Sequence, residues 1–239
     1  MVAERKMKAV FFDLDGTLIF HEQSKFTSEY FKSISSFVAK KGLDPKQFVD
    51  AVMYGTGLVI ANDGHRTNKE VFWDNFFKFL GRYDEKIIEI SDEYYVTEFK
   101  NLRQHAKCND FAKEAIELAH RDGKKVVLAT NPVFPMTAQI ERLSWSGLCA
   151  DDFDLITSYE NSRYCKPNPK YYLEICKKID IPAKNVVMIG NDEREDMKAS
   201  FESGMMGYLV TDCRIMAKDY FWKGQRGTFE QSLRLLKIL

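Results

Sequence analysis

The chain has 239 residues, 45% of them hydrophobic and 29% charged, which at roughly 100–200 residues per domain makes one large domain or a core with a smaller insert. Its 35 Lys and Arg balance 35 Asp and Glu, so there is no net basic field of the kind that nucleic acid or an anionic membrane attracts. No run approaches the ~20 apolar residues of a membrane span, Met1–Lys6 leads into no apolar export segment, and Cys108, Cys149, Cys165, Cys176 and Cys213 include no C-x-x-C pair; a soluble cytoplasmic protein without a disulfide framework or zinc site is expected.

The first predicted element is a short buried strand, Val10-Phe11-Phe12, which runs into Asp13-Leu14-Asp15-Gly16-Thr17-Leu18. Alternate strand residues face one side, so Asp13 and Asp15 can address one substrate at the strand mouth while Leu14 points elsewhere. From residue 20 to residue 102 the periodicity is helical, with no convincing strand. Phe26, Tyr30, Phe31, Ile34, Phe37 and Val38 share one face. The next helix opens on Asp44 as N-cap with Pro45 in the first turn and Gln47 three residues after the cap. Val71, Phe72, Phe76, Phe77 and Leu80, then Ile87, Ile88, Tyr94, Tyr95 and Phe99, predict two further helices and an aromatic-rich bundle whose rings most simply form its core. Between the predicted helices, Asn62–Thr67 reads as a polar loop from which His65 or Arg66 could reach a second anionic group of a substrate.

Beyond residue 102, strands and helices alternate. A helix through Phe111, Ala115, Ile116, Leu118 and Ala119 precedes the strand Val126–Ala129, which ends in Thr130-Asn131. A helix through Ile140, Leu143 and Trp145 is followed by a further short run, Asp154–Thr157. Then come Cys165-Lys166-Pro167-Asn168-Pro169, a helix through Tyr171, Tyr172, Ile175, Cys176 and Ile179, the strand Val186–Ile189, and the strand Tyr208–Val210. Strand, helix and strand in succession imply a parallel sheet with helices on both faces and ligands at the carboxyl ends of the strands. After the third of these strands stands an acidic cluster, Gly190-Asn191-Asp192-Glu193-Arg194-Glu195-Asp196, which also fits a helix start with Asp192 as cap and Glu195 as its reciprocal partner.

The strand-terminal D-x-D-G-T, a strand ending in Thr, a Lys-Pro before a helix and a strand-terminal acidic cluster stand in the order of the four motifs of the haloacid dehalogenase superfamily, which the chain resembles over roughly residues 8–212. The resemblance implies an α/β fold: a doubly wound, Rossmann-like core of residues 1–19 and 103–239, with residues 20–102 as a helical-bundle cap. It implies Asp13 as the nucleophile of an aspartyl-phosphate intermediate and Asp15 as the proton handler, neutral on entry. Lys166 would be a fixed cation, and Thr130 with Asn131 would bind the phosphate. Mg²⁺ would be held by the Asp13 carboxylate, the Asp15 main-chain carbonyl and the acidic cluster. Where many members carry Gly-Asp this chain has Gly190-Asn191, so either Asn191 ligates as a neutral oxygen with Asp192 and Asp196 near, or Asp192 takes the metal.

An acid at Asp15 points to phosphate esters rather than halides. The expected activity is Mg-dependent hydrolysis of a small phosphomonoester, and the expected partner is a small phosphorylated metabolite, with no nucleic acid and no membrane. A phosphomutase, or a binding protein keeping the fold, stands as the alternative. Phosphonate cleavage would need a cap lysine, for which Lys25, Lys32, Lys40 and Lys41 are available.

Overall fold

The computed structural model describes residues 6–121 and 123–239; residues 1–5, on which most of the expectation about an export segment rests, lie outside the described residues. The strands are β1 (Ala9–Phe12), β2 (Ile19–Phe20), β3 (Lys107–Cys108), β4 (Lys125–Leu128), β5 (Leu155–Ile156), β6 (Val186–Gly190), β7 (Met206–Val210) and β8 (Gln225–Gly227). Six of them form one sheet in the order β5-β4-β1-β6-β7-β8, with every pairing parallel.

The central strand β1 is buried on both faces, which is why it reads Ala-Val-Phe-Phe without alternation. Its residues nevertheless divide by the period of two. Val10 and Phe12 join Val126, Leu128, Val187 and Ile189 under α5 (Ala112–His120) and α9 (Phe229–Leu236). Ala9 and Phe11 join Val127, Val186, Met188 and Leu209 under α7 (Pro169–Ile179), where Tyr171, Tyr172 and Ile175 pack. Met188, Met197 and Met205 fill gaps in this second layer, and Trp222 packs there too, while Phe221 stays exposed. The chain leaves β1 toward β4 and β5, then crosses back to lay β6 on the other side of β1. That reversal opens a crevice at the carboxyl end of β1.

Between β2 and β3, which pair antiparallel as a two-strand neck, the chain is helical: α1 (Gln23–Lys40), α2 (Pro45–Ile60), α3 (Asn68–Leu80), α4 (Glu85–Thr97) and a 3-10 stretch, Phe99–His105. Phe20 is therefore a strand residue of the neck, and the helical run extends to His105 rather than stopping at residue 102. Asp44 caps α2 as expected, accepting from the backbone N–H groups of Lys46 and Gln47. Thr67 and Glu70 form a full capping box on α3, and Gly81 ends it at φ 70°, a left-handed turn open to glycine.

The start of α3 is tied to the sheet domain. Asn68 and Lys69 donate their backbone N–H groups to the carbonyls of Ser162 (2.8 Å) and Tyr159 (2.7 Å), and the buried Asn68 side chain donates to the carbonyl of Pro132 (3.2 Å). Donors that a helix N-terminus leaves free are thus satisfied by the loops beneath it. Among the described residues no helix is long and apolar enough to cross a membrane.

After β6 the chain forms a π-helical turn, Glu193–Lys198, running into α8 (Ala199–Glu202). The fully buried Glu193 carboxylate fastens the following loop: it accepts from Arg214 Nη2 (2.8 Å) and from the backbone N–H groups of Ala217 (3.1 Å) and Trp222 (3.2 Å). Burial opposes its ionisation, but these donors prevail and hold its carboxyl below the ordinary 4.5. Glu193→Gln should therefore cost about 2–3 kcal/mol at neutral pH, the scale of hydrogen bonds to a charged group. A group with a depressed folded pKa contributes stability above its unfolded pKa and loses it as pH falls through the folded value. The difference between wild type and variant should accordingly shrink below about pH 4. Urea denaturation at pH 7 and pH 3.5 checks it.

Candidate active site

At the end of β1 the chain turns sharply. The Leu14 carbonyl accepts from the N–H groups of Thr17, Leu18 and Ile19. Gly16 has φ +79°, and a Cβ there would lie 2.2 Å from Asn191 Nδ2, so the Gly of D-x-D-G-T is required both by backbone conformation and by space. Asn109 reaches across to donate to the Thr17 carbonyl (2.7 Å). The turn presents Asp13, 8% exposed, and Asp15 to the crevice.

Lys166 comes from the loop before α7, whose N-terminus is capped by Asn168. Its side chain is fully buried and its Nζ donates to Asp13 Oδ1 (2.7 Å) and Asp196 Oδ1 (2.6 Å). Asp196 Oδ2 in turn accepts from the Asp192 N–H (3.0 Å). A Cβ on residue 190 would fall 2.3 Å from Asp196 Oδ2, so Gly190 is what admits this carboxylate.

Two buried carboxylates thus share one ammonium. Burial alone would lower the lysine's pKa, yet Asp13 and Asp196 hold it well above its ordinary value. Asp13 is pushed up to about 7, by burial first and by the charges of Asp196 and Asp15, with Lys166 opposing. The cluster is short of positive charge.

Thr130 and Asn131, at the end of β4, line the same crevice, as do Asn191 and Glu195. The Thr130 carbonyl is fixed by the hydroxyls of Tyr171 (2.7 Å) and Thr157 (2.8 Å). Asn191 donates through Nδ2 to the Cys213 carbonyl (2.6 Å), and its Oδ1 accepts from the Thr17 hydroxyl at 3.4 Å. Asp192 Oδ1 accepts from the N–H groups of Arg194 and Glu195, 2.7 Å each, so the helix-cap reading of this residue holds. Glu195 is not its reciprocal partner. It meets Asn131 Nδ2 at 3.3 Å instead, and burial raises its carboxyl pKa.

The expectation that Asp15 is neutral on entry does not fit its surroundings. The guanidinium of Arg142, on α6 (Met136–Ser144), donates to Asp15 Oδ2, and His21 Nε2 stands 2.6 Å from Oδ1. Although burial favours the neutral acid, these two partners hold the Asp15 carboxyl well below the usual carboxylate range. Arg142 is itself fully buried, against the rings of Phe26 and Phe134.

Neither partner was found by sequence reasoning. Arg142 lies on the buried face of its helix with Ala138, Gln139 and Leu143, a face that the apolar run through Ile140 and Leu143 does not mark. The polar loop at residues 62–67 stays outside the site: Arg66 pairs with Asp74 and His65 is exposed. Lys25, Lys32, Lys40 and Lys41 are exposed, Lys32 and Lys41 paired with Glu29 and Glu93.

The oxygen donors of the crevice suit a hard cation. Asp13 keeps Oδ2 uncommitted by Lys166, Asn191 offers a neutral oxygen and Glu195 stands near. Among the described residues no three His, Cys, Asp or Glu side chains form a closed metal cage. Mg²⁺ needs none, since it keeps several waters and takes one or two carboxylates plus substrate oxygens.

A model of haloacid dehalogenase-like hydrolases matches residues 7–204. Among solved structures, a HAD phosphatase from Thermococcus onnurineus aligns over 96% of this chain and 98% of its own at 18% identity, TM-score 0.60. 2-Haloacid dehalogenase from Pseudomonas syringae pv. Tomato DC3000 aligns over 96% and 98% at 17% identity, TM-score 0.63. A HAD-hydrolase from Bacillus subtilis bound to magnesium aligns over 97% and 99% at 19% identity, TM-score 0.56. At these identities the likeness is one of fold. No curated protein sequence matches the chain.

Proposed function

The chain belongs to the haloacid dehalogenase-like hydrolases, and from that premise we propose that it is a magnesium-dependent phosphatase that hydrolyses a phosphomonoester through an aspartyl-phosphate on Asp13. The observation that carries the reading is the convergence of Asp13, its Lys166 counter-ion and a second acid, Asp15, on one crevice with Thr130. A halide-releasing enzyme has no use for the second acid.

In the first step an Asp13 oxygen attacks phosphorus and the ester P–O bond breaks. Two unit charges 4 Å apart repel by roughly 4 kcal/mol at an effective dielectric near 20, so a carboxylate approaching a phosphate needs positive charge on both. Lys166 supplies one fixed cation, and the Thr130 hydroxyl and Asn131 amide donate to phosphate oxygens. Mg²⁺, held by the Asp13 carboxylate, the Asp15 carbonyl and the Asn191 side-chain oxygen, supplies the remaining charge when bound. Asp196 acts on Lys166, and Asp192 on the turn that carries Asp196.

Proton handling follows from the Asp15 environment. Its anion is the form that takes a proton from the water attacking the phospho-enzyme in the second step, which releases phosphate and frees Asp13. For the first step His21 Nε2, 2.6 Å from Asp15 Oδ1, is the nearby proton source, and Asp15 passes that proton to the leaving oxygen. The helical segment, residues 20–102, serves as a cap over the core of residues 1–19 and 103–239, excluding water from the phospho-enzyme.

Purified protein should turn over 4-nitrophenyl phosphate with Mg²⁺, lose roughly 100-fold or more of that rate in EDTA, and regain it with added Mg²⁺. Acid-quenched protein should retain label from a ³²P-phosphoryl substrate. Turnover indifferent to metal, or no retained label in single-turnover samples, would count against the reading.

A further inference from the structure

A second cavity of about 410 Å³ lies between the helical segment and the sheet domain, within the range typical of small-molecule sites. Asp15, His21 and Arg142 are walls of both this cavity and the catalytic crevice, so the two spaces adjoin at the proton-handling residue. Away from Asp15 the walls are rich in aromatic side chains: Phe26, Tyr30, Phe72, Trp73, Tyr95 and Phe134, from α1, α3, α4 and the loop after β4.

Some of the polar atoms in these walls are engaged. The Tyr30 and Tyr95 hydroxyls bond to each other at 2.9 Å. Arg142 donates to Asp15 and to Gln139 Oε1 (3.1 Å), with its guanidinium carbon over the rings of Phe26 and Phe134 and its Nε without a partner. The other polar walls include Gln23, Thr56, Asp92, the exposed Thr27 and Ser91, on α4, and Trp73 Nε1 is buried without a hydrogen-bond partner. A sugar or polyol seated here would lie mostly against rings and the aliphatic side chains of Ile34, Val52 and Ile60, whereas an aromatic ring would gain edge-to-face contacts on several sides.

We propose that the leaving group of the substrate is an apolar aromatic ring system, one or two fused rings in size, seated in this cavity with its ester oxygen at Asp15; the inference rests on the phosphatase reading above.

The test compares esters of primary alcohols, so that intrinsic leaving-group reactivity is similar: 2-naphthylmethyl phosphate, n-octyl phosphate, glycerol 3-phosphate and glucose 6-phosphate. The naphthylmethyl ester should exceed both polyol esters in kcat/KM by roughly tenfold or more, mainly through KM. Ser91→Trp, and Thr27→Trp at the exposed mouth, should each lower the ratio of naphthylmethyl to glycerol ester by roughly tenfold or more. A preference for either polyol ester, or for the octyl ester, would overturn the assignment, as would an unchanged ratio in a folded Trp variant.

If no ester is turned over, the phosphatase reading fails, and fluorescence titration with 2-naphthalenemethanol still decides the cavity. Binding that Thr27→Trp weakens supports the aromatic site. Absence of binding overturns it.

Discussion

Asp13→Asn should abolish turnover, by roughly four orders of magnitude or more, the scale seen when a covalent nucleophile is removed, and should do so without unfolding the protein. The amide matches the carboxylate in shape, and its oxygen can still accept from Lys166 Nζ, which lies 2.7 Å from Oδ1. What is lost is the charge and lone pair that attack phosphorus. Stability should move the other way. In the metal-free protein Asp13 and Asp196 share a single ammonium, and burial with its acidic neighbours raises Asp13 to about 7. A carboxyl whose folded pKa lies above its unfolded value stabilises in its protonated form, and that contribution is lost as pH rises from about 4 through 7. The amide carries no such liability. Asp13→Asn should thus melt at or above wild type at pH 8, and the gap should close toward pH 4. Thermal melts of metal-free protein at the two pH values, beside single-turnover assays, measure both effects. More than about 1% residual activity, or a variant that melts well below wild type at pH 8, would refute the assignment of Asp13.

The sheet was legible where strands are buried on both faces. Val10–Phe12, Val126–Ala129, Val186–Ile189 and Tyr208–Val210 stand out as apolar runs, and the structure keeps all four within a residue or two. It was illegible at β8, where Gln225-Arg226-Gly227 is a polar edge with no apolar face to announce it. The helix that follows, α9, escaped for a different reason: its capping box, Thr228 with Gln231, is clear only once the strand before it is known. In the helical segment the periodicity located α1, α3 and α4, and the Asp44 cap located α2, but neither could tell a ring that fills a core from one that lines a cavity. Phe76 and Tyr94 are fully buried; Phe72 and Tyr95, from the same predicted faces, border open space.

The site shows the same division. Asp13, Asp15, Thr130, Asn131 and Lys166 were named from motifs, and the fold brings them to one crevice, except that Lys166 reaches it as the buried partner of Asp13 rather than as a wall. Partner choice was not readable. A sequence does not tell that Asp192 Oδ1 is engaged by Arg194 and Glu195, that Asp196 is turned onto Lys166, or that a fully buried arginine 127 residues away closes on Asp15. Such pairings depend on where separate loops meet, which local periodicity does not encode.

Lys166→Met is expected to damage both stability and catalysis, and the two losses can be separated. Methionine fills much of the same space but leaves Asp13 and Asp196 buried without their shared counter-ion. Removing one partner of a buried ion pair costs about 3–5 kcal/mol. The carboxylates can escape part of that cost by binding protons, which the raised pKa of each already favours, so the loss should be largest at pH 8 and smaller at pH 5. Catalysis should fall by roughly 10²–10³ at either pH, since a fixed cation aimed at the developing charge is gone whether or not the carboxyls are protonated. Adding Asp196→Asn removes one of the stranded charges. The double variant should recover a large part of the stability at pH 8 and none of the activity, because Asp196 acts only through the lysine. Urea denaturation at the two pH values gives the first quantity and single-turnover kinetics the second. A Lys166→Met protein as stable as wild type at pH 8 would mean that the lysine is not the counter-ion of this cluster. Activity restored in the double variant would mean that its role is confined to folding.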